Sequence, residues 1–120
     1  MSIKELIEIL PDPLRKRALT HPSVADPYHS NGRLEFLGDS ILNHRVAELV
    51  FHSYPELLEG DLTRIRAHLV RKSFLASVGR SEGLEEMIES SVINDSVIAD
   101  TVEAIIGAAY LIDKNLVLRT

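Results

Sequence analysis

The chain has 120 residues, enough for one domain with its own core, and its 45% hydrophobic and 26% charged residues are ordinary for a globular protein. It contains no cysteine, which excludes disulfides and thiolate metal sites and fits a cytoplasmic location. The net charge of −5 argues against a nucleic-acid binder that relies on a broad basic surface, although clustered acids are what a Mg²⁺ or Mn²⁺ site requires. We find no signal-peptide pattern and no apolar stretch long enough to span a bilayer, so we expect no membrane association.

The hydrophobic pattern predicts an all-α fold, because sustained strand alternation is absent and apolar residues recur at helical spacing. In chain order, the predicted helices cover residues 3–9, 13–19, 33–53, 62 to about 70, 73–80 and 95 to about 111. Residues 24–30 form a predicted polar loop, residues 85–89 a short turn or helix, and residues 112–120 are weakly patterned. We interpret residues 1–120 as one domain.

Prolines and capping residues set several of these boundaries. Pro11 and Pro13 end the first helix, because proline cannot continue a helix without losing a hydrogen bond. Asp12 is the predicted N-cap of the second helix, with Pro13 at its first position. Asp61 is the predicted N-cap of the fourth helix.

The predicted third helix carries two carboxylates in unusual surroundings. Glu35 and Asp39 are four residues apart and project about 40° from each other on a helical wheel. They lie beside Gly38 and two apolar residues, Leu42 and Val46, rather than on a polar face. This negative charge therefore needs compensation from elsewhere in the molecule.

The predicted last helix is apolar almost all round, which indicates a helix buried in the middle of a bundle. Between residues 96 and 112 its charges are Asp100 and Glu103, on one face together with Gly107, which would let a neighbouring helix approach closely. If the two carboxylate faces meet, four acids converge in a poorly solvated space, where they must protonate or bind cations. A hard divalent cation such as Mg²⁺ leaves positions open for a phosphate, an arrangement that suits metal-assisted phosphodiester hydrolysis.

Other interpretations of these residues stay open at this point. Each carboxylate pair, taken alone, is typical of a solvated helix face. A di-iron site in a helical bundle calls for Glu-x-x-His motifs, and none of the five histidines lies three residues after a glutamate. Arg64, Arg66, Arg71 and Lys72 form a basic run that is either a solvated face or a contact with an RNA backbone.

Four segments resemble a known family. RLEFLGDSIL, at residues 33–42, resembles the signature of the ribonuclease III endonuclease domain. ALTHPS at 18–23, EGDLTRIRAHLV at 59–70 and DSVIADTVEAIIGAAYL at 95–111 resemble further segments of that family, in the same order and at similar distances. The resemblance therefore extends over about residues 18–111.

The resemblance implies an all-helical homodimer that cleaves double-stranded RNA with Mg²⁺, for which Mn²⁺ can substitute, and that leaves 5′-phosphate and 3′-hydroxyl ends. By motif position, it implies that the catalytic and metal-binding acids are Glu35, Asp39, Asp100 and Glu103. All but Asp39 would be direct ligands, with Asp39 supporting them. It further implies that Phe36 is the aromatic residue of the dimer interface and that Glu59 lies near the cleavage site.

The chain also departs from the family. Gly32 stands two residues before the signature leucine, where the family commonly has a glutamate that positions substrate, so reduced or redirected activity is expected. Residues 1–120 contain no double-stranded-RNA-binding domain, so weak duplex binding and help from a separate RNA-binding partner are expected. The alternative function is a catalytically weak or inactive dimeric scaffold of the same fold in an RNA–protein assembly, against which the four retained acids count.

Overall fold

The computed structural model describes residues 2–118, and within them the chain is helical without a strand ladder. The helices are α1 (Ile3–Ile9), α2 (Asp12–Ala18), α3 (Gly32–Ser53), α4 (Glu59–Leu69), α5 (Lys72–Ser81), α6 (Asp95–Ile112) and α7 (Lys114–Leu118), with a 3₁₀ turn at Leu84–Glu86. An isolated bridge between Thr20 and Glu89 is the one strand-like pairing in the described part of the chain. The prediction of an all-α fold is confirmed.

Helix α6 lies at the centre of the molecule, where it contacts α1, α2, α3, α5 and α7. Ile98 and Ile105 are completely buried, and from Val97 to Ala109 only Asp100 retains partial exposure. A helix that is apolar on all sides has no face suited to water and is stable only when other helices surround it. The predicted buried position of this helix is therefore confirmed.

Helix α3 packs along α6, and α4 connects the side of α3 with α5. With 22 residues, α3 is about 33 Å long, so its two ends lie on opposite sides of the molecule. Among residues 2–118, no helix is both long enough and apolar enough to cross a membrane.

Two predicted N-caps are wrong. The N-cap of α2 is Pro11, and Asp12 is the first helical residue. Pro13 therefore stands at the second helical position, which accepts proline as the first does, because neither backbone N–H has a partner within the helix. Helix α4 begins at Glu59, so Asp61 lies inside its first turn, where it pairs with Arg64. An acidic residue is favourable throughout the first turn because the helix dipole is positive there. The presence of Asp12 or Asp61 therefore indicates that a helix begins nearby but not at which residue.

The remaining difference is at the C-terminal end. The weakly patterned residues 112–120 include the short helix α7, Lys114–Leu118, which packs against α6. Helices this short owe their stability to packing rather than to local sequence preference, which explains why the pattern did not predict it. Residues 119 and 120 of that segment lie outside the described residues.

Candidate metal centre

Two glycines bring α3 and α6 into backbone contact. A Cβ atom placed on Gly38 would lie 1.7 Å from the carbonyl oxygen of Glu103, and one on Gly107 would lie 2.4 Å from the carbonyl oxygen of Leu34. Neither position can hold a larger side chain unless the helices separate. The predicted role of Gly107 in close helix approach is confirmed, and Gly38 fulfils the same role on the facing helix.

This contact brings together the carboxylates of both helices. Single oxygen atoms of Glu35, Asp100 and Glu103 all lie within 4.8 Å of one another. Asp39 is not part of this group of three, but its carboxylate is close enough to raise the pKa of Glu103. We call these four residues the carboxylate cluster.

Solvation differs across the carboxylate cluster: Glu103 is buried, Glu35 and Asp100 are half-buried, and Asp39 is exposed. Glu103 is 6% exposed, and burial raises its pKa from the ordinary 4.5 to about 8, with the hydrogen bond and charge of Asp39 adding to the increase. Burial likewise raises the pKa of Glu35 to about 7, and Asp100 adds to this increase through its charge and its hydrogen bond. Burial and the neighbouring charges both disfavour the ionised acids, so either protons or a cation must compensate them.

The cluster suits a hard divalent cation. Its donors are all carboxylate oxygens, which Mg²⁺ and Mn²⁺ prefer, and three of them from two helices are close enough to bind one ion. The raised pKa values indicate that Glu35 and Glu103 hold protons near neutral pH in the metal-free protein. A bound cation favours the ionised carboxylates and would replace these protons. The residues present thus fit the cation implied by the sequence resemblance.

Lys72 is a site residue that the sequence analysis missed. It is the first residue of α5, and its Nζ donates hydrogen bonds to Asp100 Oδ1 at 3.2 Å and to Ser96 Oγ at 3.1 Å. The hydrogen bond to Asp100 raises the pKa of Lys72, so its side chain is an ammonium. In the sequence, Lys72 belongs to a basic run, and nothing local distinguishes it from Arg71, which instead lies over the ring of Phe74.

Asn31 is a second residue without a sequence signal. It is fully buried at the N-cap of α3, and its Nδ2 donates to the carbonyl oxygen of Ala18 at 3.1 Å and to Thr101 Oγ1 at 3.5 Å. Thr101 neighbours Asp100 on α6. Asn31 therefore joins the start of α3 to α6, one helical turn before Glu35.

Glu59 and Phe36 do not belong to the carboxylate cluster. Glu59 lies at the start of α4, where it lines a groove with Ala47, Val50, Phe51 and Leu62. The groove adjoins the last turns of α3, about 24 Å along the helix from Glu35. Phe36 is 79% exposed, an unusual state for a phenylalanine on a helix whose neighbours contribute to the core.

Gly32 is the first residue of α3 and has open space around it. No atom outside its own neighbourhood lies within 4 Å of a Cβ placed there, and its backbone does not adopt a positive φ. The fold therefore does not require glycine at this position, because a Cβ atom meets no neighbour there.

Comparison with known proteins supports the resemblance seen in the sequence. Residues 11–115 match the Ribonuclease-III-like family. The chain is 47% identical over 113 residues to Ribonuclease 3 of Vibrio vulnificus and 46% identical over 115 residues to Ribonuclease 3 of Haemophilus influenzae. These matches cover 88% and 89% of this chain but 49% of each relative, so the chain spans about half the length of the relatives.

Solved structures share its fold as well. The nuclease domain of ribonuclease III from Campylobacter jejuni, described as flexible in a region involved in dimer formation, superposes with a TM-score of 0.85 at 35% identity, covering 98% of this chain and 92% of that one. Dicer from Pichia stipitis superposes with a TM-score of 0.72 at 32% identity, covering 84% of this chain and 46% of that one. On the strength of a family match over most of its length and a fold shared with a ribonuclease III nuclease domain, this chain belongs to the ribonuclease III family.

Proposed function

We propose that this chain cleaves double-stranded RNA by divalent-metal-assisted phosphodiester hydrolysis, leaving 5′-phosphate and 3′-hydroxyl ends. The observation that carries the proposal is the carboxylate cluster, in which acids from two helices converge despite strong mutual repulsion. An arrangement this unfavourable makes physical sense where a cation binds. The relatives named Ribonuclease 3 support the same activity.

In this proposal each acid of the cluster has a distinct role. Glu35, Asp100 and Glu103 would hold the cation, Mg²⁺ or in its place Mn²⁺, through their carboxylate oxygens. When bound, the cation polarises the phosphoryl oxygen and lowers the pKa of the attacking water. Asp39 adds negative charge beside Glu103 and so strengthens the attraction of the cluster for the cation. The close contact between α3 and α6 excludes water from the inner side of the cluster.

The proposal includes a homodimer formed through α3. Phe36 and Phe51 project from opposite ends of this helix, 79% and 64% exposed, and about 60° apart on a helical wheel. Two copies of α3 that pack antiparallel about a two-fold axis would bring Phe36 of each copy to the far end of the other. The apolar groove beside Phe51 lies at that end and would bury the exposed ring.

The same dimer gives Glu59 a role in the site. Glu59 lines the groove that would receive the partner's Phe36, and Phe36 adjoins Glu35 in the sequence. We therefore propose that Glu59 serves the carboxylate cluster of the partner subunit and contacts the substrate there. Within one chain, Glu59 is too far along α3 to do so.

We expect duplex RNA to bind weakly. The net charge is −5, and two arginines of the basic run are already engaged, Arg64 with Asp61 and Arg71 with the carbonyl oxygen of His68. Affinity would then come from the cation and from the shape of the duplex, which proteins contact mainly across the minor groove. A separate RNA-binding partner would raise this affinity.

Incubation of a labelled RNA duplex with the protein and Mg²⁺ tests the proposed activity. We expect cleavage that EDTA abolishes and that Glu103→Gln lowers by about 100-fold or more, because the substitution removes a metal ligand. Glu86→Gln is the matched control, since Glu86 is an exposed acid of the 3₁₀ turn, and it should cleave like the wild type.

An intact duplex after incubation with micromolar, folded and dimeric wild-type protein would contradict the proposed activity. If Mg²⁺ and Mn²⁺ also failed to raise the melting temperature, the protein would fit the non-catalytic scaffold instead, because a ligand that binds the folded state must stabilise it.

A further inference from the structure

Lys72 is the one basic residue in an ion pair with the carboxylate cluster among residues 2–118. It reaches the cluster from α5, a helix that supplies none of the four acids. The Lys72 side chain is 59% exposed, whereas that of Asp100 is 17% exposed. The ammonium group thus lies at the outer edge of the cluster, between the half-buried Asp100 and solvent.

The ammonium group of Lys72 has two partners, both on α6. Asp100 and Ser96 lie one helical turn apart on α6, and Nζ donates to both. A divalent cation on Asp100 would repel a unit positive charge about 6 Å away by about 1.4 kcal/mol, even at the dielectric constant of water. Lys72 would then lose its partner Asp100, while the exposed end of its side chain could still turn towards solvent.

We propose that Lys72 is a positioning residue that holds Asp100 in the metal-free protein. When a divalent cation binds Asp100, the ammonium group of Lys72 moves away and contacts an RNA phosphate instead. The second half of this proposal rests on the proposed function, because it requires duplex RNA beside the cluster. An ammonium group is a compact donor that binds phosphate oxygens well, and a cation at the mouth of an acidic site offsets the repulsion between the acids and the RNA backbone. Lys72 therefore competes with the divalent cation for Asp100 and stabilises an RNA phosphate that is bound beside the carboxylate cluster.

Titration of the RNA-free protein with Mn²⁺ alone, followed by calorimetry, tests the first half. Lys72→Met removes the charge and keeps the length of the side chain, and it should bind Mn²⁺ about three- to tenfold more tightly because the competing charge is gone. Lys72→Arg keeps the charge and should bind Mn²⁺ like the wild type. Lys16→Met, which removes the same charge from an exposed position on α2, should leave Mn²⁺ affinity unchanged.

Affinity for duplex RNA tests the second half, measured as KM in cleavage or as Kd for the same duplex if the protein does not cleave. Lys72→Met should weaken RNA affinity about tenfold at saturating cation, and Lys72→Arg should restore most of it. A residue that merely stabilised the fold would lower the melting temperature without this opposite change in metal and RNA affinity.

Unchanged or weaker Mn²⁺ binding by Lys72→Met would overturn the role of Lys72 as a competitor for Asp100. RNA affinity no lower than that of Lys16→Met would overturn the phosphate contact. Because the Mn²⁺ titration requires no cleavage, it decides the first half even if the proposed nuclease activity proves wrong.

Discussion

At the scale of single residues, Glu103 has the most unusual surroundings in the carboxylate cluster. It is 6% exposed, it lies on the buried helix α6, and its neighbours Asp39, Glu35 and Asp100 are all acids. Burial is the largest cause of its raised pKa, and the neighbouring charges add to it. In the unfolded chain these acids are solvated and far apart, so the protein binds protons more tightly when folded.

This tighter proton binding in the folded state predicts that the stability of the metal-free protein depends on pH. The pKa values of Glu35 and Glu103 are raised to about 7 and about 8 from 4.5, so their contribution to stability is complete below about pH 4.5 and is lost as the pH rises to about 8. In EDTA, the melting temperature should fall between about pH 5.5 and pH 8.5. Glu103→Gln should fall less steeply, because glutamine does not ionise.

Thermal melts of both proteins across this range, with and without Mn²⁺, measure the effect. Mn²⁺ should remove most of the decline, because it stabilises the ionised acids that appear at high pH. A wild-type melting temperature in EDTA that rises with pH, or equal slopes for the two proteins, would contradict the assignment of these raised pKa values.

At the scale of elements, the contact between α3 and α6 determines the geometry of the site. Gly38 and Gly107 let the two backbones touch, and only at this separation do Glu35, Asp100 and Glu103 come within 4.8 Å of one another. The buried Asn31 connects the start of α3 to Thr101 on α6 and so favours one register of the two helices. Helix packing and the geometry of the carboxylate cluster therefore depend on the same residues.

Gly38→Ala should accordingly destabilise the protein and weaken its metal site. The added methyl group would overlap the backbone of Glu103, so the helices must separate, at a cost of about 1–3 kcal/mol or more in the free energy of unfolding. Mn²⁺ affinity should fall as well, because the carboxylates move apart. Denaturant unfolding and a Mn²⁺ titration measure the two effects.

Gly60→Ala is the matched control for this substitution. Gly60 lies in the first turn of α4, and the nearest atom to an added Cβ is the end of the flexible Arg64 side chain at 3.8 Å. Because alanine favours the helix, this variant should be more stable by up to about 1 kcal/mol, with Mn²⁺ affinity unchanged. Similar stability for the two variants would show that the α3–α6 contact is looser than described.

At the scale of the whole molecule, the fold is organised around one buried helix, α6, and two highly exposed phenylalanines lie on another, α3. Helix α6 is enclosed by five other helices, whereas α3 leaves Phe36, Leu49 and Phe51 exposed. Exposed aromatic residues spread along one helix are typical of an interface with another protein. The proposed antiparallel dimer covers both ends of α3 with a single symmetric contact.

Phe36→Asp should therefore separate the dimer into monomers, because the substitution removes the apolar ring and places a charge in a largely apolar groove of the partner. Sedimentation velocity measures the change, and cleavage should fall with it, since Glu59 would no longer reach the second site. Tyr28→Asp is the control, because Tyr28 is also an aromatic residue with high exposure, 72%, but lies in the loop between α2 and α3. A dimer that persists in Phe36→Asp would place the interface elsewhere.

The sequence by itself determined the features that depend on spacing within one helix. Apolar periodicity and prolines predicted the all-α fold and the ends of α1 and α3, and the apolar character of α6 predicted its central position. The two carboxylate pairs and their glycines were visible for the same reason, since residues three or four apart share a helix face.

Only the tertiary structure decided which side chains from different helices meet. It brought Lys72 of α5 to Asp100 and joined Asn31 to Thr101, pairs that lie 28 and 70 residues apart and share no local pattern. It also held the short helix α7 against α6. Such contacts depend on how the helices pack and in which register. The free energy that selects the register comes from packing throughout the core, so no single segment of the sequence contains it.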